Sequence, residues 1–219
     1  MAEKDAKAHT NWLKSSVALE NYSNYIKKKI EGQKFDLTLI DLLYISNFKG
    51  GNATINEEEC IVNSKLKAYS NVLIKIDTSF GDKFLSVLKE YEVLSLIKLV
   101  KEFVYLSKKE ETCIDGFKAS FLSALLHSYF PNLIPILDRR LLINLDLIKE
   151  EDLDSQKQVK KIEIHYSKLI TAIQIKSEVT GNSIRELDAI LFEIKLPDWA
   201  SRKSKKKFTD KIISNANSK

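Results

Sequence analysis

A carboxylate and two guanidinium groups lie next to one another at Asp138, Arg139 and Arg140. They follow the segment NLIPIL, where Pro135 disfavours helix continuation and biases Ile134 towards an extended conformation. The residues after Asp138, RRLLINL, favour a new helix. A carboxylate at a helix start can cap free backbone N–H groups or serve chemistry, and arginines can bind phosphate or form stabilising salt bridges. Both alternatives stay open from these residues alone.

A turn and an apolar helix come before this connector. In IDGFKASFLSALL, Asp115 and Gly116 predict the turn, and apolar residues at helical spacing predict a helix over residues 116–129. Tyr129, Phe130 and Pro131 are expected to end that helix. The predicted order is therefore a glycine turn, an apolar helix, an extended connector and a helix that begins with Asp138.

This order resembles the helix-hairpin-helix DNA glycosylase superfamily, which includes adenine, endonuclease III-like and 8-oxoguanine glycosylases. In that superfamily the hairpin binds a DNA phosphate with backbone N–H groups, and an aspartate after the next connector serves the chemistry. The resemblance rests on the hairpin IDGFKAS and on Pro-Ile-Leu-Asp at the next helix start. It implies an N-glycosylase that hydrolyses the bond between sugar and a modified or damaged base, with Asp138 as the catalytic carboxylate.

The chemistry explains why an aspartate would be needed. Cleavage of an N-glycosidic bond builds positive charge on the sugar, which a fixed carboxylate can stabilise, or the carboxylate can activate water. The base must also leave the stack, and phosphate contacts must hold the distorted strand. The resemblance therefore implies that double-stranded DNA is the partner and that the reaction needs no cofactor.

The same resemblance assigns DNA contacts to the hairpin and to the start of the next helix: Gly116, Phe117, Lys118, Ser120, Arg139 and Arg140. The family's hairpin has a second glycine where this chain has Lys118, which can itself contact a phosphate. Ser120 occupies the position of the lysine in the bifunctional lyases, which argues against Schiff-base chemistry. A shifted hairpin would instead make Lys118 the nucleophile, so both assignments stay open.

Two further segments are candidate DNA contacts. In SNFKGGNATI, Lys49, Gly50 and Gly51 allow a close approach to a phosphate, although a plain turn between helices explains them as well. The net charge is +5, and residues 201–219 contain seven Lys/Arg and one Asp, so the rest of the chain is nearly neutral. Lys205 and Lys206 in this basic tail can neutralise phosphates, or they can simply keep a solvated terminus soluble.

Composition predicts an all-α fold. Glycine and proline are scarce, at 6 and 3 residues, and apolar residues recur at helical spacing along most of the chain. We expect helices near 12–30, 37–48, 62–76, 83–107, 155–179 and 182–195 besides those already mentioned, with 83–107 as the central one. The apolar spacing predicts the inward residues of the first and third: Trp12, Leu19, Tyr22, Ile26 and Ile30, and Val62, Leu66, Tyr69, Leu73 and Ile76. Asn182 or Ser183 can cap the last helix. Residues 1–200 are expected to form one helical bundle, or two lobes near 1–110 and 111–200. The resemblance implies a glycosylase-like architecture.

Several classes of site and location are disfavoured. Two cysteines do not make a thiolate zinc or iron–sulfur site, and the three histidines lack metal spacing, so no metal is expected. The polar start MAEKDAKAHT and the lack of a long apolar run predict a cytoplasmic protein without a membrane partner.

Arg185 and Asp188 are three residues apart on one predicted helix face and are expected to form an ion pair that ties this helix to the Asp138 region. The main alternative to a glycosylase is a non-catalytic helical module that binds DNA or a protein, for instance in bacterial defence. The two differ in whether Asp138 faces an open cleft or serves only as a helix cap.

Overall fold

The computed structural model describes residues 16–50 and 54–201. These residues form eight α-helices joined by turns and short 3₁₀ segments, and this part of the chain contains no β-strand, which confirms the all-α class. The helices are α1 (16–27), α2 (Leu39–Phe48), α3 (Glu59–Phe80), α4 (Glu90–Tyr105), α5 (Ala119–Tyr129), α6 (Arg139–Asn144), α7 (Tyr166–Thr180) and α8 (Ile184–Glu193).

The first helices follow the predicted apolar spacing, with one exception. Leu19, Tyr22 and Ile26 are buried on α1, and the predicted inward residues of α3 are all buried. Ile30 was expected to point inward, but its side chain is 70% exposed. Helical structure stops at residue 27, so Ile30 lies in a turn and no longer follows the helical register. The predicted inward residue Trp12 lies outside the described residues.

The central helix is α5 and not, as the sequence suggested, the helix predicted at 83–107. Every residue of α5 from Leu122 to Tyr129 is buried. By contrast, α4 leaves Tyr91, Leu94 and Tyr105 largely exposed on one face. Apolar composition alone made α4 look central, but it packs through one side against α3, α5 and α7. A 3₁₀ turn at Leu85–Val87 also separates residues 83–89 from α4.

The predicted helix over 155–179 starts later than expected. Residues 153–161 form a turn in which the Asp154 carboxylate accepts hydrogen bonds from the backbone N–H groups of Gln156 and Gln158, both at 2.8 Å. Such a side chain offers the backbone an alternative to helix formation. After a 3₁₀ segment, α7 begins at Tyr166. The predicted cap of α8 is present, because the Ser183 hydroxyl accepts from Glu186 N.

Apolar residues of both halves of the chain form one continuous core. The contacts between α2 and α5, and between α4 and α7, join the segments that the sequence left open as separate lobes. No described helix is both long and apolar enough to cross a membrane.

A fully buried carboxylate lies inside this core. Asp41, on the first turn of α2, accepts hydrogen bonds from the Tyr22 hydroxyl at 2.8 Å and the Tyr129 hydroxyl at 3.2 Å. The Lys29 ammonium lies 2.8 Å from the same carboxylate and also donates to the Tyr129 hydroxyl at 2.9 Å. The backbone N–H of Thr38 donates to it at 2.8 Å, which completes a capping arrangement. Four segments of the chain therefore meet at one side chain.

The tyrosines act as donors to Asp41 because they stay protonated. Burial raises the pKa of Tyr22, and the negative charge of Asp41 raises it further. Burial and Asp41 likewise raise the pKa of Tyr129. Lys29 supplies the compensating charge, so the carboxylate is both paired and hydrogen-bonded, as a buried charge requires.

We predict that Asp41→Ala lowers the free energy of unfolding by about 3–5 kcal/mol, because it leaves the buried Lys29 ammonium without a counter-charge. Urea denaturation followed by circular dichroism measures this value. Glu102→Gln, which breaks the exposed pair with Lys75, is the matched control and should change stability by less than about 1 kcal/mol. Similar losses in the two variants would show that Asp41 is not a critical contact.

Candidate functional site

The predicted glycine turn is present at the start of α5. Gly116 has a backbone φ of 79°, in the left-handed region that glycine adopts easily, and its N–H donates to the Asp115 carboxylate at 2.9 Å. Phe117 is buried and packs against Phe121, with 5.3 Å between ring centroids. Lys118 is exposed at the N-cap position of α5. The turn therefore presents an exposed lysine at the start of the central helix, while the backbone N–H groups of Gly116 and Phe117 donate hydrogen bonds within the turn.

The hairpin is held by the start of α3. The Glu57 carboxylate accepts from the backbone N–H of Asp115 at 3.3 Å, and Glu57 also pairs with Lys65. The hydrogen bond from Lys65 lowers the pKa of Glu57. The Lys65 ammonium donates to the carbonyl of Cys113 at 2.7 Å. These bonds define the position of the turn relative to the core.

The connector after α5 is buried and bonded back to that helix. The Ser123 hydroxyl accepts from the backbone N–H of Leu137 at 2.9 Å and donates to the carbonyl of Ser120 at 2.9 Å. Burial lowers the pKa of His127 to about 4, so its ring is neutral at pH 7 and Nδ1 can donate to the Ile134 carbonyl 2.7 Å away. Because Leu137 directly precedes Asp138, the bond to Ser123 places Asp138 beside the middle of α5.

Asp138 caps α6 as predicted. One carboxylate oxygen accepts from the backbone N–H of Arg140 at 2.7 Å, and the side chain is half-buried. Among the described residues, no hydrogen-bond donor contacts its other oxygen. The cap therefore uses only part of the hydrogen-bonding capacity of this carboxylate.

Arg139 and Arg140 make intramolecular contacts. Arg139 donates to the carbonyls of Lys157 at 2.6 Å and Ala200 at 3.1 Å. Arg140 donates to the carbonyl of Ile194 at 3.0 Å, and its guanidinium lies 4.8 Å from the centre of the Phe192 ring. These bonds attach α6 to the segments on either side of α7 and α8. A phosphate contact by either arginine would have to compete with them, so their role in DNA binding stays a prediction.

A second carboxylate, Asp188 on α8, lies within electrostatic range of Asp138. Its side chain forms the predicted ion pair with Arg185, whose guanidinium also donates to the Ser16 hydroxyl of α1 at 2.6 Å. Asp188 is buried, with 9% of the residue exposed. Burial raises its pKa to about 6 although Arg185 lowers it, the charge of Asp138 raises it further, and Lys49 lowers it. The cluster thus contains two carboxylates, Asp138 and Asp188, and two cations, Arg185 and Lys49.

Lys49 connects this cluster to the glycine-rich loop. It follows the last residue of α2, and Gly50 after it has a φ of 84° with its N–H donating to the Asn47 carbonyl at 3.1 Å. Glu57, which accepts from Asp115 in the glycine turn, follows Lys49 by eight positions. This length of chain spans at most about 29 Å when fully extended. Gly51, together with the predicted contacts Lys205 and Lys206, lies outside the described residues.

The sequence pattern did not reveal the acid–base character of Asp188. The spacing of Arg185 and Asp188 predicts an ion pair, but burial and the nearby charge of Asp138 arise only when α6 packs on α8. Two carboxylates in different environments can divide the tasks of holding charge and of exchanging a proton. This arrangement makes the Asp138–Asp188 cluster the candidate functional site.

We predict that Asp188→Asn changes how stability depends on pH. The folded-state pKa of Asp188 is raised from 3.8 to about 6, so its protonated form contributes stability below about pH 4 that is lost as the pH rises through about 6. As the pH rises between these limits, the free energy of unfolding of the variant should therefore increase relative to that of wild type by up to about 3 kcal/mol. One pKa unit corresponds to about 1.36 kcal/mol. Parallel stability–pH curves from urea denaturation would contradict this.

Comparison of the chain with family models, curated proteins and solved structures returns no match.

Proposed function

We propose that this protein binds double-stranded DNA with a glycosylase-like helical architecture and hydrolyses the N-glycosidic bond of a modified or damaged base. Asp138 is the carboxylate that stabilises positive charge on the sugar or activates the attacking water. In the balanced reaction, water supplies the hydroxyl group bound to the sugar and a proton for the departing base. Asp138 acts beside α5, and Gly116, Lys118 and Ser120 contact DNA at the start of that helix.

The observation that carries this proposal is the link between the hairpin and Asp138. The Ser123 hydroxyl of α5 accepts from the backbone N–H of Leu137 and donates to the Ser120 carbonyl, so one buried helix supports both the exposed Lys118 at its N-cap and the connector that leads to Asp138. DNA held by the hairpin would pass near Asp138. A rigid helix is also a suitable support for groups that must be positioned accurately around a reacting bond.

The state of the Asp138 carboxylate also supports a catalytic role. One oxygen is held by the backbone of α6, which orients the group, while the half-buried side chain leaves the other oxygen without a donor among the described residues. A carboxylate oriented in this way could stabilise a developing oxocarbenium ion without first having to reorganise.

We predict that Asp138→Asn abolishes base release but retains the fold and DNA binding. Asparagine caps helices about as well as aspartate, so the variant removes the charge but not the cap. The measurement is incubation with duplexes that carry a panel of damaged or modified bases, followed by alkali to cleave abasic sites. Asp82→Asn, which changes an exposed aspartate outside the cluster, is the matched control and should release base like wild type.

A non-catalytic DNA-binding or protein-binding module is the second candidate. It is favoured by the use of Asp138 as a cap and by the contacts of Arg139 and Arg140 with backbone carbonyls. Salt-sensitive DNA binding by wild type, with no base released from any duplex, would support this module and contradict the glycosylase.

Lys118 has two predicted roles that one variant separates. We predict that Lys118→Gln weakens DNA binding and reduces the salt slope by about one, as expected for the loss of a single phosphate contact. Lys176→Gln, on the exposed side of α7, controls for net charge and should alter neither quantity. Borohydride treatment tests the nucleophile assignment, because only a Schiff base between Lys118 and the sugar would give a covalent adduct that the variant loses.

A further inference from the structure

A cavity of about 580 Å³ opens between the end of α1, the turn that follows it and α3. Its apolar walls are Ile26 of α1, Phe35 of the turn and Ile74 of α3. Ile26 is buried, whereas Ile74 is 46% exposed although it is apolar. Small-molecule sites in proteins have volumes of about 300–1,000 Å³ and mostly apolar walls, so this cavity has the size of such a site.

The turn that forms one side of the cavity is bonded to the core. The Lys29 ammonium donates to the Asp36 carbonyl at 2.9 Å and is itself paired with the buried Asp41. The Phe35 ring stacks on the ring of Phe130, with 6.1 Å between their centroids. The cavity is therefore formed before any ligand arrives, and binding does not have to bear the entropic cost of ordering this turn.

Three lysines line the cavity, and they differ in the partners of their ammonium groups. The ammonium of Lys29 is fully used, because it donates to the Asp41 carboxylate and to two further oxygen atoms. Lys27 and Lys34 are exposed, and within the described residues neither forms an ion pair or a hydrogen bond through its ammonium group. These two lysines therefore have the charge and the hydrogen-bonding capacity that an anionic ligand can use.

The charge of Lys34 lies directly beside the apolar wall. Its ammonium is 5.0 Å from the centre of the Phe35 ring. A smaller hollow shares residues with the cavity, and the described residues that line the two together include four lysines and two acids. The surroundings therefore keep a positive net charge even when the buried Lys29–Asp41 pair is counted as neutral.

We propose that this cavity binds a small amphipathic anion, a molecule with an aromatic or aliphatic body and one carboxylate, sulfonate or phosphate group. The body packs against Ile26, Phe35 and Ile74, and the anionic group binds Lys27 and Lys34. A DNA backbone would use the lysines but would leave the apolar walls uncovered, which favours a small molecule at this place. The inference does not depend on the proposed glycosylase activity, because it concerns other residues.

Two fluorescent probes with the same aromatic body test this assignment. Anilinonaphthalene sulfonate carries the body and one negative charge, and phenylnaphthylamine has the body without the sulfonate. Each probe is titrated into the full chain and its variants at constant ionic strength, and the fluorescence gives the Kd and the number of sites. Each probe is compared between variants, because removal of the sulfonate also makes the free probe more apolar. Circular dichroism establishes that each variant is folded.

The lysines should affect the charged probe only. Lys27→Gln and Lys34→Gln should each weaken binding of the sulfonate by about twofold to fivefold, the range of a partly exposed ion pair, and leave the neutral probe unchanged. Glu31→Gln removes a negative charge from the same lining, so it should not weaken binding of the sulfonate. Lys176→Gln, on the exposed side of α7, controls for net charge and should change neither Kd.

The apolar wall should affect both probes. Ile74→Ser should weaken each of them by about threefold to tenfold, because the bound body then covers less apolar surface. Ile175→Ser is the matched control, since Ile175 is an isoleucine of α7 that is 55% exposed and does not line the cavity. It should bind both probes like wild type.

Several outcomes would overturn the inference. Equal losses of the two probes in the lysine variants would exclude an anionic preference, and an Ile74→Ser variant that binds like Ile175→Ser would exclude the cavity as the site. Displacement of the sulfonate by an unmodified DNA duplex would assign the lysines to nucleic acid instead. Lack of saturable binding to folded wild type would exclude the site altogether.

Discussion

The buried carboxylate of Asp41 joins helices that are distant in the sequence. Its charge cannot stay in the core without Lys29, and its oxygens cannot stay there without hydrogen-bond donors. These requirements bring together the first helix, the turn before α2 and, through Tyr129, the end of α5. Because α5 is surrounded by the rest of the protein, the constraint at Asp41 determines where this helix lies. The turn before α5 and the connector after it therefore also depend on Asp41.

The position of α5 in turn determines the position of the candidate site. Ser123 and His127, both buried on this helix, bind the connector that leads to Asp138. The hairpin before α5 is held by Glu57 from the start of α3. One helix thereby positions both the turn proposed to bind DNA and the carboxylate proposed to act on it. Polar side chains in the core, rather than apolar packing alone, specify this relation.

Two acids, Asp41 and Asp188, are buried in the described part of the chain, and their surroundings affect their charges differently. Asp41 has a lysine and two tyrosine hydroxyls directly bonded to it, so its charge is compensated. Asp188 has Arg185 as its bonded partner but lies close to Asp138, and its charged form is disfavoured. A compensated buried charge contributes to a specific fold, whereas a poorly compensated one can respond to pH or to a ligand. The contrast separates a structural acid from the acid of the candidate functional site.

Local features of the structure followed directly from the sequence. The glycine turn, the end of α5 at Tyr129, the cap of α6 by Asp138 and the Arg185–Asp188 pair all depend on residues close together in the chain. The prediction of the central helix was wrong, because burial of a helix depends on residues that are distant in the sequence. The apolar stretch of α4 resembled a central helix, but one of its faces remains exposed while α5 is enclosed. Asp41, in the apolar run LTLIDLLYISNF, was a polar residue that could have indicated a buried network, yet its partners were not predictable because they lie on other segments.

By itself, then, the sequence determined the helical class, most helix positions, and the turn, connector and cap around Asp138, because backbone preferences and apolar spacing act over a few residues. Only the tertiary structure decided that α6 packs on α8, which brings Asp138 near Asp188 and raises the pKa of a carboxyl group that the sequence shows merely as half of an ion pair. It also decided that α5 supports both the glycine turn at its start and the connector that leads to Asp138. The physical reason is that desolvation and electrostatic interaction depend on distance in space, which the order of residues along the chain does not specify.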